Sequence, residues 1–278
     1  MPIFKAARVT VPQLAVLAAA MLTAVSVSAL SVAAAADPLV AHHATYALSL
    51  APSNTSGATG VDGVMTYDFK DTCDGWTTDV KLRIIITDDS GGPHPAEVSQ
   101  VYWEAHNGKS FRFMTKISNG SDESNQTRGE VRIDSAGKAS VTADLPTQAE
   151  ATLPNETIFP TAQTELMLKK AAAGETFVSA TLFDGTIPTE AAQVTALIGE
   201  GGKDWKAPKA FPELAGHVSY PIGLAYFIGN KSDSTPDSEQ SLRIYDNGVV
   251  GLYDFDFVGG IKVRATLDDL KLLPEPGC

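Results

Sequence analysis

Two cysteines, Cys73 and Cys278, constrain this chain more than any other feature, because the sequence contains no others. Each has only the other as a possible intrachain partner. A bond between them would close most of the chain into one loop. Two cysteines in an exported protein most simply form one disulfide, because compartments outside the cytoplasm are oxidising. A redox-active pair, which usually needs Cys-x-x-Cys proximity, and two free thiols are the alternatives.

The first 36 residues have the pattern of a cleaved secretory signal peptide. Lys5 and Arg8 precede an apolar run over 11–30, and the alanines at 34–36 provide a cleavage site. The alternative is a retained membrane anchor, since the run is about long enough to span a bilayer. We expect residues 1–36 to be removed, and no later segment is apolar for long enough to cross a membrane.

The charge balance excludes some classes of partner. The sequence has 33 acidic and 21 basic residues, a formal net charge of -12, and two of the basic residues lie in the leader. The mature chain is therefore more acidic still. Such a chain is repelled by nucleic acid and by anionic membrane surfaces. We expect no nucleic acid as a partner, and the simplest explanation of the charge is an acidic surface that keeps an exported protein in solution.

Alternating polar and apolar residues predict strands along most of the chain. Residues 63–69 and 76–84 are the expected arms of an antiparallel hairpin with Cys73 at its turn. Further hairpin turns are predicted at Asn107-Gly108, at 135–137 and at Asp246-Asn247-Gly248. The remaining predicted strands cover 43–50, 97–105, 110–117, 129–134, 139–142, 176–183, 193–198, 218–228, 241–245, 249–257 and 261–273.

One helix is predicted, beginning after Phe159-Pro160. Thr161 is the expected N-cap, and Gly174 is the expected end. Lys169 and Lys170 suit the negative end of the helix dipole.

These elements predict a mainly β fold, with about 12–14 antiparallel strands in one strongly curved sheet and one central helix. The sheet would form a β-spiral or an open, broken barrel. Residues 37–278 are enough for one large domain or two small ones, and we expect a single domain. A sheet of this shape wraps its helix or leaves an apolar cleft.

Aromatic residues on the strands are candidates for lining such a cleft, although aromatic side chains also dominate ordinary cores. Phe69 and Phe227 belong to this group. The main candidates for contact with a ligand are Tyr67, Trp76, Trp103, Phe111, Phe113 and Tyr226.

Candidates for catalysis and metal binding are weak. His42 and His43 are neighbours on a strand, so their side chains point to opposite faces and do not readily share a metal ion. Asp254 and Asp256 lie on one strand face, as two catalytic carboxylates might, but alternate acids on a wet strand face are common. The remaining histidines are single, and no nucleophile elbow, phosphate loop or calcium loop is present. We predict no catalytic residue, metal site or cofactor.

Several stretches together resemble the periplasmic cell envelope integrity proteins called EipB, found in Gram-negative alphaproteobacteria. The most specific part is the Cys73-Asp74-Gly75-Trp76 turn combined with Cys278. The resemblance covers essentially all of the mature chain, with Tyr220 standing where Trp is expected before proline. The other matching stretches are 43–50, 63–67, 159–161, 182–185, 220–222, 226–227 and 245–249.

The resemblance implies a monomeric periplasmic protein whose strands coil around the helix, with a disulfide joining Cys73 to Cys278. Similar proteins support envelope integrity under stress and are not known as enzymes. Their sheet looks like that of periplasmic lipoprotein carriers, which makes a lipid, a lipoprotein or a periplasmic protein the expected partner. Because fold does not fix function, two alternatives stay open. One is a protein scaffold with a closed core, and the other is a hydrolase of an envelope polymer, in which His217 would cluster with Asp254 or Asp256.

Overall fold

The computed structural model describes residues 39–89, 92–118, 124–229 and 235–278, so the leader predicted over 1–36 lies outside the described residues. The described residues form fourteen strands and one α-helix, α1 (Pro160–Ala172). The strands are β1 (His42–Leu50), β2 (Ala58–Asp71), β3 (Gly75–Asp88), β4 (Pro93–Ala105), β5 (Ser110–Ser118), β6 (Ser124–Ile133), β7 (Ala139–Leu145), β8 (Ala149–Thr152), β9 (Phe177–Leu182), β10 (Ala192–Ile198), β11 (Ser219–Ile228), β12 (Ser238–Tyr245), β13 (Val250–Phe257) and β14 (Ile261–Leu272). Within these ranges, no helix is long and apolar enough to cross a membrane.

All fourteen strands belong to one antiparallel sheet that does not close on itself. Its order is β8-β7-β6-β5-β4-β3-β2-β1-β14-β13-β12-β11-β10-β9. Each half is a meander of neighbouring hairpins. The first and last strands, β1 and β14, pair in the interior of the sheet and join the two halves. The predicted fold class, a curved antiparallel sheet with one helix, is confirmed.

The predicted hairpins are present. Strands β2, β3, β4 and β6 extend beyond their predicted bounds, whereas β9, β11, β13 and β14 are one or two residues shorter than predicted. Strands β2 and β3 pair from Asp71 and Trp76 outwards, with Cys73 in the turn at a φ of 66°. Gly108 and Gly248 take the left-handed conformation in their turns, at φ values of 65° and 90°. Strand β8 is absent from the prediction because four residues are too few to show a period.

The helix starts earlier than predicted, and Thr161 is not its N-cap. The N-cap is Phe159, whose side chain makes no capping hydrogen bond. Instead, the Glu104 carboxylate on β4 accepts the backbone N–H groups of Thr161 and Ala162 at 2.8 and 3.0 Å. At the other end, the predicted stop is present, because Gly174 adopts a φ of 76°.

The core lies on the inner face of the sheet and around the helix. Met167 and Leu168 of α1 pack against buried residues of β9–β12. At the other end of the sheet, the rings of Phe111 and Phe159 stack with centroids 4.9 Å apart. Phe183, which follows β9, meets Phe111 edge-on at 6.0 Å. Aromatic packing therefore joins the far ends of the two halves of the sheet.

The disulfide lies on the outside of this arrangement. Cys73 is exposed in the β2–β3 turn, and it is bonded to Cys278, with the two Cα atoms 6.0 Å apart. The turn is fixed locally, since Thr72 Oγ1 donates to the Gly75 carbonyl at 2.7 Å. The bond therefore ties the segment after β14 to the turn of the β2–β3 hairpin.

Candidate functional site

A cavity of about 280 Å³ lies between α1 and the inner face of the sheet, and we call it the central cavity. The helix forms one wall, and strands from both halves of the sheet form the rest. Its lining is Leu39, Val40, His42, Tyr46, Met65, Tyr67, Phe69, Val80, Gln100, Tyr102, Pro160, Thr161, Gln163, Thr164, Met167, Leu224, Gln240, Leu242, Ile244, Asn247, Gly248, Val250 and Tyr253. Most of these side chains are aliphatic or aromatic, as in sites for small apolar ligands.

Four tyrosines line the cavity, and their hydroxyl groups are neutral. Burial raises the pKa of Tyr67 to about 12. Burial likewise raises the pKa values of Tyr46, Tyr102 and Tyr253. The Tyr46 hydroxyl is already used, because it donates to the Val250 carbonyl at 3.0 Å. At neutral pH these phenols can therefore take part in hydrogen bonds but carry no charge.

His42 also faces the cavity and is almost fully buried, at 2 % exposure. Its Nδ1 lies 2.8 Å from the Val40 carbonyl oxygen, which requires a proton on Nδ1. Its ring stacks on Tyr67 at a centroid distance of 5.5 Å. Burial lowers the pKa of His42, so the ring is neutral at pH 7. As predicted, His43 points the other way, where its Nδ1 lies 3.2 Å from Asp68.

Glu104 lies beside the cavity at the start of α1 and is 2 % exposed. Burial raises the pKa of its carboxyl, and the two N–H groups of α1 act in the opposite direction. The positive end of the helix dipole favours an anion at this position. Glu104 therefore holds the start of α1 against β4, and both of its carboxylate oxygens accept a hydrogen bond from the helix.

The six aromatic residues predicted to contact a ligand lie in different places. Tyr67 lines the central cavity, as does Phe69 from the wider group. Trp76 is beside the cavity and stacks on Phe69 at 4.5 Å. The Tyr226 hydroxyl donates to Gln240, which lines the cavity, at 3.0 Å.

The other three candidates lie farther from the central cavity. Phe111 and Phe113 are buried in the aromatic cluster with Phe159 and Phe183. Trp103 is on the outer face of β4, where the Arg112 guanidinium lies 4.3 Å from its ring centre. Their contact with a ligand stays a prediction.

Tyr46, Tyr102, Tyr253 and His42 line the cavity but were not among the predicted lining residues. The relevant signal is the two-residue period of a strand. Tyr102 and the buried Glu104 share one face of β4, and Trp103 is on the other. The pattern places the residues on two faces, but it does not say which face is inside.

The weak catalytic candidates do not come together. His217 pairs with Asp246 through Nδ1. Asp254 instead makes a bidentate ion pair with Arg264, whose Nε and Nη2 each lie 2.7 Å from a carboxylate oxygen. Asp256 accepts from Lys262 Nζ at 2.9 Å. Among the described residues, no group of three or more His, Cys, Asp or Glu side chains could hold a metal ion.

Comparison with known proteins gives relatives that cover most of this chain. The cell envelope integrity protein EipB of Brucella abortus (strain 2308) is 29 % identical over 247 residues, which span 86 % of each protein. A crystal structure described as a β-barrel-like protein of a domain of unknown function, also from Brucella abortus, superposes with a TM-score of 0.77 at 26 % identity. That match covers 85 % of this chain and 99 % of the other. The model of the EipB-like family matches residues 33–274, and this chain therefore belongs to the EipB-like family.

Proposed function

We propose that this protein maintains the integrity of the cell envelope as a non-catalytic periplasmic binding protein, and that it holds a lipid-like molecule in the central cavity. The envelope role rests on the relationship to the Brucella abortus envelope integrity protein. The leader over 1–36, with its basic start and small-residue cleavage site, supports export to the periplasm. The observation that carries the binding proposal is the central cavity itself, with its apolar lining beneath α1.

The size of the cavity limits what it can hold. A volume of about 280 Å³ is close to the lower end of small-molecule sites, about 300 Å³. A site of this size takes a small apolar group and not a whole lipid with several chains. We therefore propose one acyl chain, or the end of one, as the occupant.

The alternative of an envelope hydrolase has less support. It requires His217 to cluster with Asp254 or Asp256, but His217 is paired with Asp246. Both other aspartates are neutralised by cations of β14, namely Arg264 and Lys262. Each of the two carboxylates is therefore engaged by a cation of β14 and not by His217.

Native mass spectrometry of the mature protein, purified from its own periplasm, tests the binding proposal. We expect a bound lipid or lipopeptide at near one-to-one occupancy, released by solvent extraction, on a monomer. A Leu242→Trp variant fills the cavity and should lose this ligand. Leu197→Trp makes the same change at an outer position that is 66 % exposed, so it should retain the ligand.

Each outcome has a distinct meaning. Equal ligand occupancy in both variants would place the bound molecule outside the central cavity. A mass without any ligand in the wild-type protein would contradict the lipid proposal and favour a protein partner on the outer surface of the sheet. Circular dichroism of both variants checks that the Trp side chains leave the fold intact.

A further inference from the structure

The two end strands of the sheet differ in how well they are protected. An end strand exposes unpaired backbone N–H and C=O groups, and proteins commonly shorten it or place charges on it. Strand β8 follows this rule, because it has only four residues and one of them is the exposed Glu150. Strand β9, at the other end, has six residues, and none of them is charged or a proline. The free edge of β9 is therefore open to pairing.

The hydrogen bonds around β9 show which of its backbone groups face this edge. The Ile158 N–H donates to the Thr181 carbonyl at 2.9 Å from the side opposite β10. Because the direction of the backbone groups alternates along a strand, Phe177 and Ser179 face the same way as Thr181. Among the described residues, none pairs with the N–H and C=O groups of Phe177 and Ser179. Two donors and two acceptors thus lie in a row on this edge.

An exposed apolar pair lies beside these groups on the outer face of the sheet. Phe177 is 55 % exposed, and its direct cross-strand partner on β10, Leu197, is 66 % exposed. The next pair on the same face, Ser179 and Thr195, is polar but uncharged. We call the Phe177–Leu197 pair and the free backbone groups of Phe177 and Ser179 the β9 surface. It combines main-chain hydrogen bonding with an apolar contact, which is the combination that binds extended peptides.

We propose that the β9 surface binds an uncharged, extended segment of another protein, which adds to the sheet as an antiparallel strand. The segment residues opposite Phe177 and Ser179 would each exchange an N–H and a C=O with β9. Their side chains lie on the outer face, so an apolar side chain opposite Phe177 packs against Phe177 and Leu197. The partner is therefore a segment with an apolar residue at every second position. This inference is independent of the central cavity, which lies on the inner face of the sheet.

Fluorescence anisotropy of a labelled peptide tests this proposal on the mature protein. In the peptide, valine and threonine alternate, and one lysine and one glutamate at the ends keep it neutral. We expect saturable binding, with the valines on the outer face and their N–H groups directed at β9. Methylating the valine amide nitrogens should therefore abolish binding, whereas methylating the threonine amide nitrogens should leave it unchanged.

Three variants test the assigned residues. Ser179→Pro removes one donor and places a ring at the edge, and we expect at least about ten-fold weaker binding. Proline is tolerated where the N–H of an end strand faces solvent, so the sheet should keep its fold. Glu150→Pro makes the equivalent change on the free edge of β8 and should leave the affinity unchanged. Phe177→Ser removes the apolar contact alone and should weaken binding by about three-fold to ten-fold.

The outcomes decide between binding at β9 and binding elsewhere. Absence of saturable binding to the wild-type protein would overturn the proposal. Equal binding of the two methylated peptides would mean that backbone pairing is not the mode of recognition. If Ser179→Pro and Phe177→Ser both bind like the wild type, the peptide does not bind at the β9 surface. Circular dichroism of the three variants checks that the sheet is intact.

Discussion

A single buried carboxylate connects the sheet of this protein to its helix. Glu104 reaches from β4 to the two N–H groups that begin α1. These groups have no partner within a helix, and the Phe159 side chain does not supply one. The position and angle of α1, and with them one wall of the central cavity, depend on this contact.

We expect Glu104→Gln to lower the free energy of unfolding by about 1–3 kcal/mol, because an amide NH₂ would face an N–H donor that then has no acceptor. Urea unfolding at pH 7, followed by circular dichroism, measures the change. Glu150→Gln alters an exposed glutamate on β8 and should change stability by less than about 0.5 kcal/mol. Equal midpoints for the two variants would show that Glu104 does not cap the helix.

His42 makes stability depend on pH in a defined direction. Burial lowers the pKa of His42 below its ordinary value of 6.5, so the unfolded chain takes up a proton first as the pH falls. The contribution of His42 to the free energy of unfolding is therefore complete above pH 6.5. It is lost as the pH drops from 6.5 to the pKa of His42 in the folded protein. We expect a loss of about 1.4 kcal/mol per pH unit in that window.

Unfolding free energies from pH 8 to pH 5 for the wild type and His42→Phe isolate this contribution. The difference between the two proteins should be flat above pH 7 and should shift against the wild type below pH 6.5. A difference that stays constant over the whole range would mean that His42 is not held neutral by burial.

At the scale of the elements, local sequence is sufficient for the turns but not for the helix cap. Asn107-Gly108 and Asp246-Asn247-Gly248 specify hairpins within a few residues, and both are present. The cap of α1 comes from Glu104, more than fifty positions before Thr161 in the sequence. No local pattern around Phe159 can show that partner, which is why the N-cap prediction was wrong.

Close contact between the loop after β9 and β5 gives a test of packing. Gly185 has a φ of 77°, and a Cβ added there would lie 2.4 Å from Cγ of the buried Phe113 ring. We expect Gly185→Ala to destabilise the protein by about 2–5 kcal/mol, from backbone strain and from overpacking together. Thermal unfolding measures this loss.

Gly216→Ala is the matched control, since Gly216 has a φ of 86° with open space around the added Cβ. It should cost about 1–2 kcal/mol, from backbone strain alone. If the two alanine variants lose the same stability, contact with Phe113 does not hold the loop in place.

At the scale of the whole molecule, the disulfide closes a loop between positions 205 apart. Loop closure of this length lowers the entropy of the unfolded chain and is worth up to about 5 kcal/mol. We expect Cys278→Ser to lower the free energy of unfolding by about 3–5 kcal/mol. Reducing agent should bring the melting temperature of the wild type down to that of the variant and leave the variant unchanged. If the reduced wild type melts at the same temperature as the oxidised protein, the disulfide does not stabilise the fold.

The central cavity was harder to predict than the sheet around it, because it depends on how both halves of the molecule meet. Tyr67 on β2 and Tyr253 on β13 line the same space. Their alternating patterns define two faces for each strand, but only the curvature of the sheet selects the inner one. Asn247 is the clearest case, since a turn asparagine is expected in solvent and is buried here.

The pairing of β1 with β14 sets an order of assembly. Each half of the sheet is a meander of local hairpins, and such contacts form early because their loop closures are short. The pairing of β1 with β14 cannot form until β14 has been synthesised, some 220 residues after β1. Until then, β1 is an unpaired edge that can template pairing with another chain. The interior of the finished sheet is thus its last part to form, and the growing chain is most vulnerable to aggregation along the strand that the native protein protects best.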